Sequence, residues 1–230
     1  MRTLLLSSII VAFSLNTFAQ SKTLKYNLKK GQAFDILLLR LKPNTKEKIQ
    51  KYFKTYFPIA KKYGYHSLKG FPVKESPMQG NYQPQSMIFG YWDSLDQREK
   101  FLEYIDENKP EFHQDRRDIW TRFDVTYYEM QQDVSFEVNK EKYNVVTAYW
   151  QKKKAGFKQF KKNWQEKVRQ AGGTVVVTLT NGASPFGYYY NPDYLCITEW
   201  ESKAAFEKFY QKNLQMDHSA VQQVNQFKIF

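Results

Sequence analysis

Three histidines, one cysteine and a set of tyrosines are the side chains with which this chain could do chemistry. His66, His113 and His218 stand far apart, and none falls at metal-ligand spacing with Cys, Asp or Glu on one helix face. No metal site is expected from such a pattern. Cys196 lies between Leu195 and Ile197 in an apolar run, the setting of a buried thiol rather than a nucleophile. Glu199 and Glu201 flank Trp200 at a strand-to-helix junction, where acids cap and solvate more readily than they transfer protons. Gly182-Ala183-Ser184 has no partner for nucleophilic catalysis, and no G-x-S-x-G, P-loop or dinucleotide fingerprint occurs.

The aromatic residues are more telling. Eighteen Phe, 17 Tyr and 5 Trp make up 17% of the 230 residues. Rings at this density build thick cores, ring-lined pockets, or both. A Tyr-x-Pro precedes two apolar runs, at Tyr82 and Tyr190. These tyrosines either cover a rim or, with Tyr188 and Tyr189, line pocket mouths with hydroxyls that could orient a ligand.

The elements that must position these residues occur twice. Residues 82–101 and 190–209 share Tyr, Pro, Trp, an acid, Ser, Glu, Lys and Phe in register, 108 residues apart. Around them the same order recurs. An apolar run (34–41; 143–150) is followed by a helix with one apolar face that closes at Gly64 or Gly172. Two strands come next (65–73 and 86–92; 174–180 and 194–200). The second is followed by a helix that Ser94 or Ser202 can cap, and then by a last strand (124–130; 228–230). This is β-α-β-β-α-β, the ferredoxin-like order, in tandem. Neither parity of the strands is polar: Ile36 and Leu38 alternate with Leu37 and Leu39. Both sheet faces must therefore be covered, one by helices and the other by the second unit's sheet, packed face to face or closed into a barrel.

The expected organisation is a leader (1–19), an N-terminal arm (20–33), unit 1 (34–131), a polar linker (132–141) and unit 2 (142–230). Arg2, the twelve-residue apolar run 4–15 and Thr17-Phe18-Ala19 form a secretory signal pattern. The run is too short to span a membrane, which takes roughly 20 residues. An exported protein, periplasmic or extracellular in a bacterium, is expected, without stable membrane insertion after cleavage. The net charge is +12, with Lys spread over the outer faces of the proposed helices. That spread argues against a nucleic-acid binder, which gathers its bases on one face. Adhesion to anionic surface polymers stays open.

Trp92-Asp93-Ser94 and Trp200-Glu201-Ser202, within this paired β-α-β-β-α-β order, resemble the dimeric α/β-barrel superfamily. The run W-E-S-K-A-A-F-E-K-F with His218 beyond it is most similar to the antibiotic-biosynthesis-monooxygenase group, which includes haem-degrading enzymes. The resemblance implies an α+β fold of two ferredoxin-like units forming a pseudo-dimeric barrel in one chain, as a monomer. It also implies an alternative function, haem binding or monooxygenase-like chemistry. His218 would then be the axial ligand, Asn144 the strand-one asparagine, and Trp150, Phe209 and Tyr190 the pocket walls. Phe209 stands where haem-degrading members carry Trp, and His113 is not at the spacing of His218. The leading expectation is a cofactor-free module that takes a small apolar or aromatic molecule between sheet and helices, with His218, His113, Trp150, Tyr190, Tyr82, Phe209 and Asn144 as candidate contacts.

Overall fold

The computed structural model describes residues 22–185 and 187–230. The leader expected at 1–19 lies outside them. Unit 1 is built from β2 (Ala33–Leu41), α1 (Lys46–Lys62), β3 (Tyr65–Gln79), β4 (Ser86–Trp92), α2 (Leu95–Asn108), α3 (Phe112–Ile119) and β5 (Trp120–Glu129). Unit 2 is built from β7 (Tyr143–Gln151), α4 (Lys154–Gln170), β8 (Thr174–Thr180), β9 (Tyr194–Trp200), α5 (Lys203–Leu214) and β10 (Val221–Ile229). Two further strands, β1 (Thr23–Leu28) and β6 (Val134–Asn139), precede the units.

The helices start where the sequence says they should. Ser94 and Ser202 each accept the backbone N–H three residues on, at 3.2 Å, so both Trp-acid-Ser motifs are N-caps. Gly64 and Gly172 follow α1 and α4 with φ of +79° and +82°, a conformation that costs glycine nothing.

Eight strands form one sheet in the order β5-β2-β4-β3-β10-β7-β9-β8. Each half has the ferredoxin-like arrangement, with the first and third strands central and the second and fourth at the edges. The halves join where β3 of unit 1 pairs with β10 of unit 2, through Gln226↔Gln79 and Ile229↔Val73. At the far edges Tyr127 of β5 bonds Ala183, just past β8, through both backbone groups at 2.8 and 3.0 Å. Each seam sets one unit's fourth strand beside the other's second, and the sheet curls toward a barrel.

The continuous apolar strands now have their reason. Phe34, Ile36, Leu38, Met87 and Phe89 face Val146, Ala148, Leu195, Ile197, Phe227 and Ile229 in a shared interior. The opposite parity meets helices: Ala33, Leu39 and Trp92 in unit 1, and Val145, Tyr149, Cys196 and Trp200 in unit 2. Trp92 and Trp200 are 4% and 1% exposed, core rings that seat helix on sheet.

Four elements differ from the sequence reading. The second strand of unit 1 runs to Gln79, past the expected residue 73, and the added residues pair with β10. The arm and the linker pair as an antiparallel ribbon, with Tyr26 opposite Phe136 and stacked on it at 4.7 Å. Its alternating Tyr26, Leu28, Phe136 and Val138 continue the barrel core, while Lys25 and Glu137 pair in solvent. The fourth strand of unit 1 begins at Trp120, earlier than expected, because α3 is only eight residues long. The final strand runs from Val221 rather than Lys228. Its polar residues hid it: Asn225 and Gln226 are fully buried and bonded, Gln226 to Thr147 Oγ1 at 2.9 Å.

Candidate functional site

The two sheet–helix interfaces are copies of one design that are filled differently. In unit 2, Tyr149 of β7 lies opposite Tyr194 of β9. Both rings are buried, and Phe160 and Trp164 of α4 pack on Tyr149 at 5.0 and 5.8 Å. The space under α4 is filled. In unit 1 the matching pair is Leu39 opposite Ser86, and Tyr56 takes the place of Trp164. Two rings are missing there.

What they leave is a cavity of about 630 Å³ between the outer face of the unit 1 sheet and its helices. Ligand pockets fall in the range of roughly 300–1,000 Å³. Leu37, Leu39, Ser86 and Ile88 form its floor, Tyr52, Tyr56 and Ala60 of α1 one wall, and Phe101 and Leu102 of α2 another. Phe112, His113 and Arg116 of α3 complete the enclosure, with Pro185 and Tyr188 reaching over from unit 2. Leu41 and Phe53, 43% and 49% exposed, also line it.

The polar groups of this cavity sit in two places. Asp35 and Arg98, 5% and 3% exposed, form a buried ion pair at 2.9 Å. Trp92 Nε1 donates to the second oxygen of Asp35 at 2.8 Å, Arg98 also pairs with Glu99, and the Arg98 guanidinium lies over the Tyr127 ring at 4.1 Å. Every charge in that cluster is answered. In the second place, Tyr56 donates to Asp115 at 2.6 Å, and Arg116 donates to the hydroxyls of Tyr52 and Tyr188 at 2.8 and 2.9 Å. Burial raises the pKa of both Tyr52 and Tyr56, and the Asp115 carboxylate raises that of Tyr56 further. Both stay protonated at neutral pH, so neither serves as a base. Among the described residues no three His, Cys, Asp or Glu are grouped to hold a metal ion. The set of groups is suited to holding a molecule: rings, hydroxyl donors and one guanidinium.

Of the seven candidate contacts named from sequence, only His113 lines this cavity, its Nε2 meeting Asp106 at 3.1 Å; Tyr188, one of the pocket-mouth tyrosines, lines it as well. Tyr82, Tyr190 and Trp150 do come together, but in the barrel interior. Tyr190 stands 4.7 Å from Tyr82 and 5.0 Å from Trp150, and its hydroxyl donates to Asn225 at 2.8 Å. Tyr82 donates to Asp124 beneath the Arg122 guanidinium. This is a packed, hydrogen-bonded knot, not a pocket mouth. Phe209 is 1% exposed among Trp164, Trp200 and Phe206. Asn144 is fully buried and ties Nδ2 to the carbonyls of Asn139 and Lys142, holding β6 to β7.

His218 follows α5 with Nδ1 donating to the Met216 carbonyl at 2.8 Å and its ring 5.3 Å from Phe160. Nε2 is buried and has no partner among the described residues. A polar cleft of about 520 Å³ runs past it, lined by Gln159, Asn163, Met216 and Asp217. The sheet–helix space of unit 2, between sheet and α4, is occupied by Tyr149, Tyr194, Trp164 and Phe209. The residues that sequence reasoning missed are Ser86, Tyr52, Arg98 and Arg116. Two of them carried a signal: Ser86 is small where the other copy has Tyr194, and Arg98 is charged where it has Phe206.

By strand order and seam pairing the molecule is a tandem dimeric α/β barrel with a ligand-sized cavity under the helices of its first unit. No family model matches the chain, and no curated protein matches it. Among solved structures it is similar to an anthrone oxidase-like protein, 15% identical, with 89% of this chain and 94% of that chain covered and a TM-score of 0.48. A putative monooxygenase from Fusobacterium nucleatum is 11% identical, covering 88% and 93%, at 0.45. A mutant chlorite dismutase from Candidatus Nitrospira defluvii is 8% identical, covering 88% and 93%, at 0.49. At 15% identity or less these are likenesses of arrangement, and the activities in those names are said of those proteins.

Proposed function

We propose that this protein is an exported, monomeric binding module that holds a small apolar or aromatic molecule in the cavity of unit 1. One observation carries the reading: the space that Tyr149 and Tyr194 fill in unit 2 is open and ring-walled in unit 1. Closing it would have cost only two larger side chains. The signal-type segment at 1–19 supports export; expression in a Gram-negative host should give a mature chain that begins at Gln20 by mass spectrometry, and an intact leader contradicts it.

The test of binding is titration with a neutral fluorescent naphthylamine, comparing the wild type with Ser86→Phe. Phenylalanine is the right filler because Tyr194 in unit 2 accepts a hydrogen bond from Gln165 at 2.9 Å, whereas Phe57 stands at the matching place in unit 1. A tyrosine hydroxyl there would lack that partner. The wild type should bind and Ser86→Phe should lose about tenfold or more in affinity, since a displaced ring contact is worth 1–3 kcal/mol. Equal binding by both proteins rules the cavity out. A second reading, haem in the same cavity, has His113 on the wall in its favour; a Soret band that His113→Ala abolishes would support it, and its persistence would not.

A further inference from the structure

Of the two arginines on the cavity wall, Arg116 is the one with no carboxylate partner among the described residues. Arg98 has Asp35 and Glu99, and His113 has Asp106. Among the described residues no carboxylate lies within 4.0 Å of Arg116, and the neighbouring Asp115 is engaged by the Tyr56 hydroxyl. Its ring contacts are extensive: Phe112 and Phe123 lie 3.9 and 4.2 Å from the guanidinium carbon. Tyr52 and Tyr188 accept from Nε and Nη1. That leaves both hydrogens of Nη2 and one of Nη1 without a partner among the described residues. Rings and hydroxyls hold such a guanidinium in place without neutralising it. Its free in-plane edge is the geometry that receives an oxyanion by two parallel hydrogen bonds.

We propose that the ligand of the unit 1 cavity is an aromatic anion, a ring system carrying a carboxylate or sulfonate-like group, with Arg116 binding the anionic head and the Leu39–Ser86 floor receiving the rings. The proposal rests on the cavity reading above and adds the charge to it. The acids on the wall do not oppose it, because Asp35 and Glu99 face Arg98, Asp106 faces His113, and Glu103 on the outer turn of α2 is exposed. Tyr188 makes unit 2 a contributor to the site, so the duplication supplies part of the anion's seat.

The test pairs two dyes that share their rings, anilinonaphthalene sulfonate and neutral phenylnaphthylamine. Binding of each is measured against wild type, Ser86→Phe, Arg116→Met and Arg116→Lys. Wild type should prefer the sulfonate by about ten- to a hundredfold, the range of a charged hydrogen bond. Arg116→Met should erase that preference, weakening the sulfonate far more than the neutral dye, and Arg116→Lys should keep part of it. Should Arg116→Met fail to fold, the wild-type preference and its weakening by salt still decide the matter. If wild type binds both dyes alike, or Arg116→Met weakens them equally, the anion proposal falls while the cavity stands. If Ser86→Phe changes neither dye, the cavity reading itself falls.

Discussion

Ser86→Phe has a consequence for stability that separates a real cavity from a loosely drawn one. Ser86 is half-buried on the cavity floor, opposite Leu39, and its counterpart Tyr194 is 2% exposed under Phe160 and Trp164 of α4. A phenylalanine at 86 would enter space already walled by Tyr52, Tyr56 and Phe101. Burying such a ring yields roughly 1.5–3 kcal/mol, so a gain of about 2 kcal/mol is expected. For a chain of this size that is a rise of about 4–8 °C in Tm. The control is Ala148→Phe, an enlargement inside the barrel, where Ala148 is fully buried in the shared core. Overpacking there should cost about 1–3 kcal/mol or more. Urea unfolding of the three proteins reads both signs in one experiment. If Ser86→Phe is destabilised as much as Ala148→Phe, the space under α1 is not there and the site argument fails with it.

Other outcomes follow from the same packing. Arg98→Met leaves Asp35 buried with only Trp92 Nε1 as partner, and should cost about 3–5 kcal/mol in chemical unfolding; adding Asp35→Asn should recover much of the loss, and no recovery would mean the charge was not the cause. Burial raises the pKa of Asp124 against the opposing effects of Tyr82 and Arg122. The fold therefore favours its protonated form, a contribution present in acid and lost as pH rises through the folded pKa. Asp124→Asn keeps an acceptor for Tyr82 and should raise Tm at neutral pH but not below the ordinary carboxylate range; an equal gain at both pH values refutes this. Burial pushes the Cys196 thiol up to about 12, so it should react with a thiol reagent only after unfolding, and rapid native labelling would contradict its placement.

Much of this architecture can be read from the chain. The 108-residue repeat, the two Ser caps, the Gly closures and the double-sided apolar strands lead to two ferredoxin-like units that cover each other's sheets. The ribbon of β1 and β6 was not read, although Leu24, Tyr26 and Leu28 alternate, as do Val134, Phe136 and Val138; the lysines and acids between them gave the stretches the look of solvent-exposed connections. The strand at 221–229 was not legible, because buried Asn225 and Gln226 bond to Tyr190 and Thr147, partners far away in sequence. The unit 1 cavity was not legible for a specific reason. Attention to aromatic residues leads to unit 2 and its rings, to Trp150, Phe209 and Tyr190, which are core. A cavity is made by the rings that are absent, and here the informative residues are Leu39 and Ser86. Arg116 sits in the polar run Q-D-R-R-D, and nothing local distinguishes it from Arg117, which bonds Gln114 in solvent.

The most direct measurement is a crystal structure of the wild type soaked with the neutral naphthylamine. The account predicts ring density over Leu39 and Ser86, beneath Tyr52 and Tyr56 and beside Arg116. Density confined to the His218 cleft or to the outer surface, with the unit 1 cavity closed by its own side chains, would contradict it.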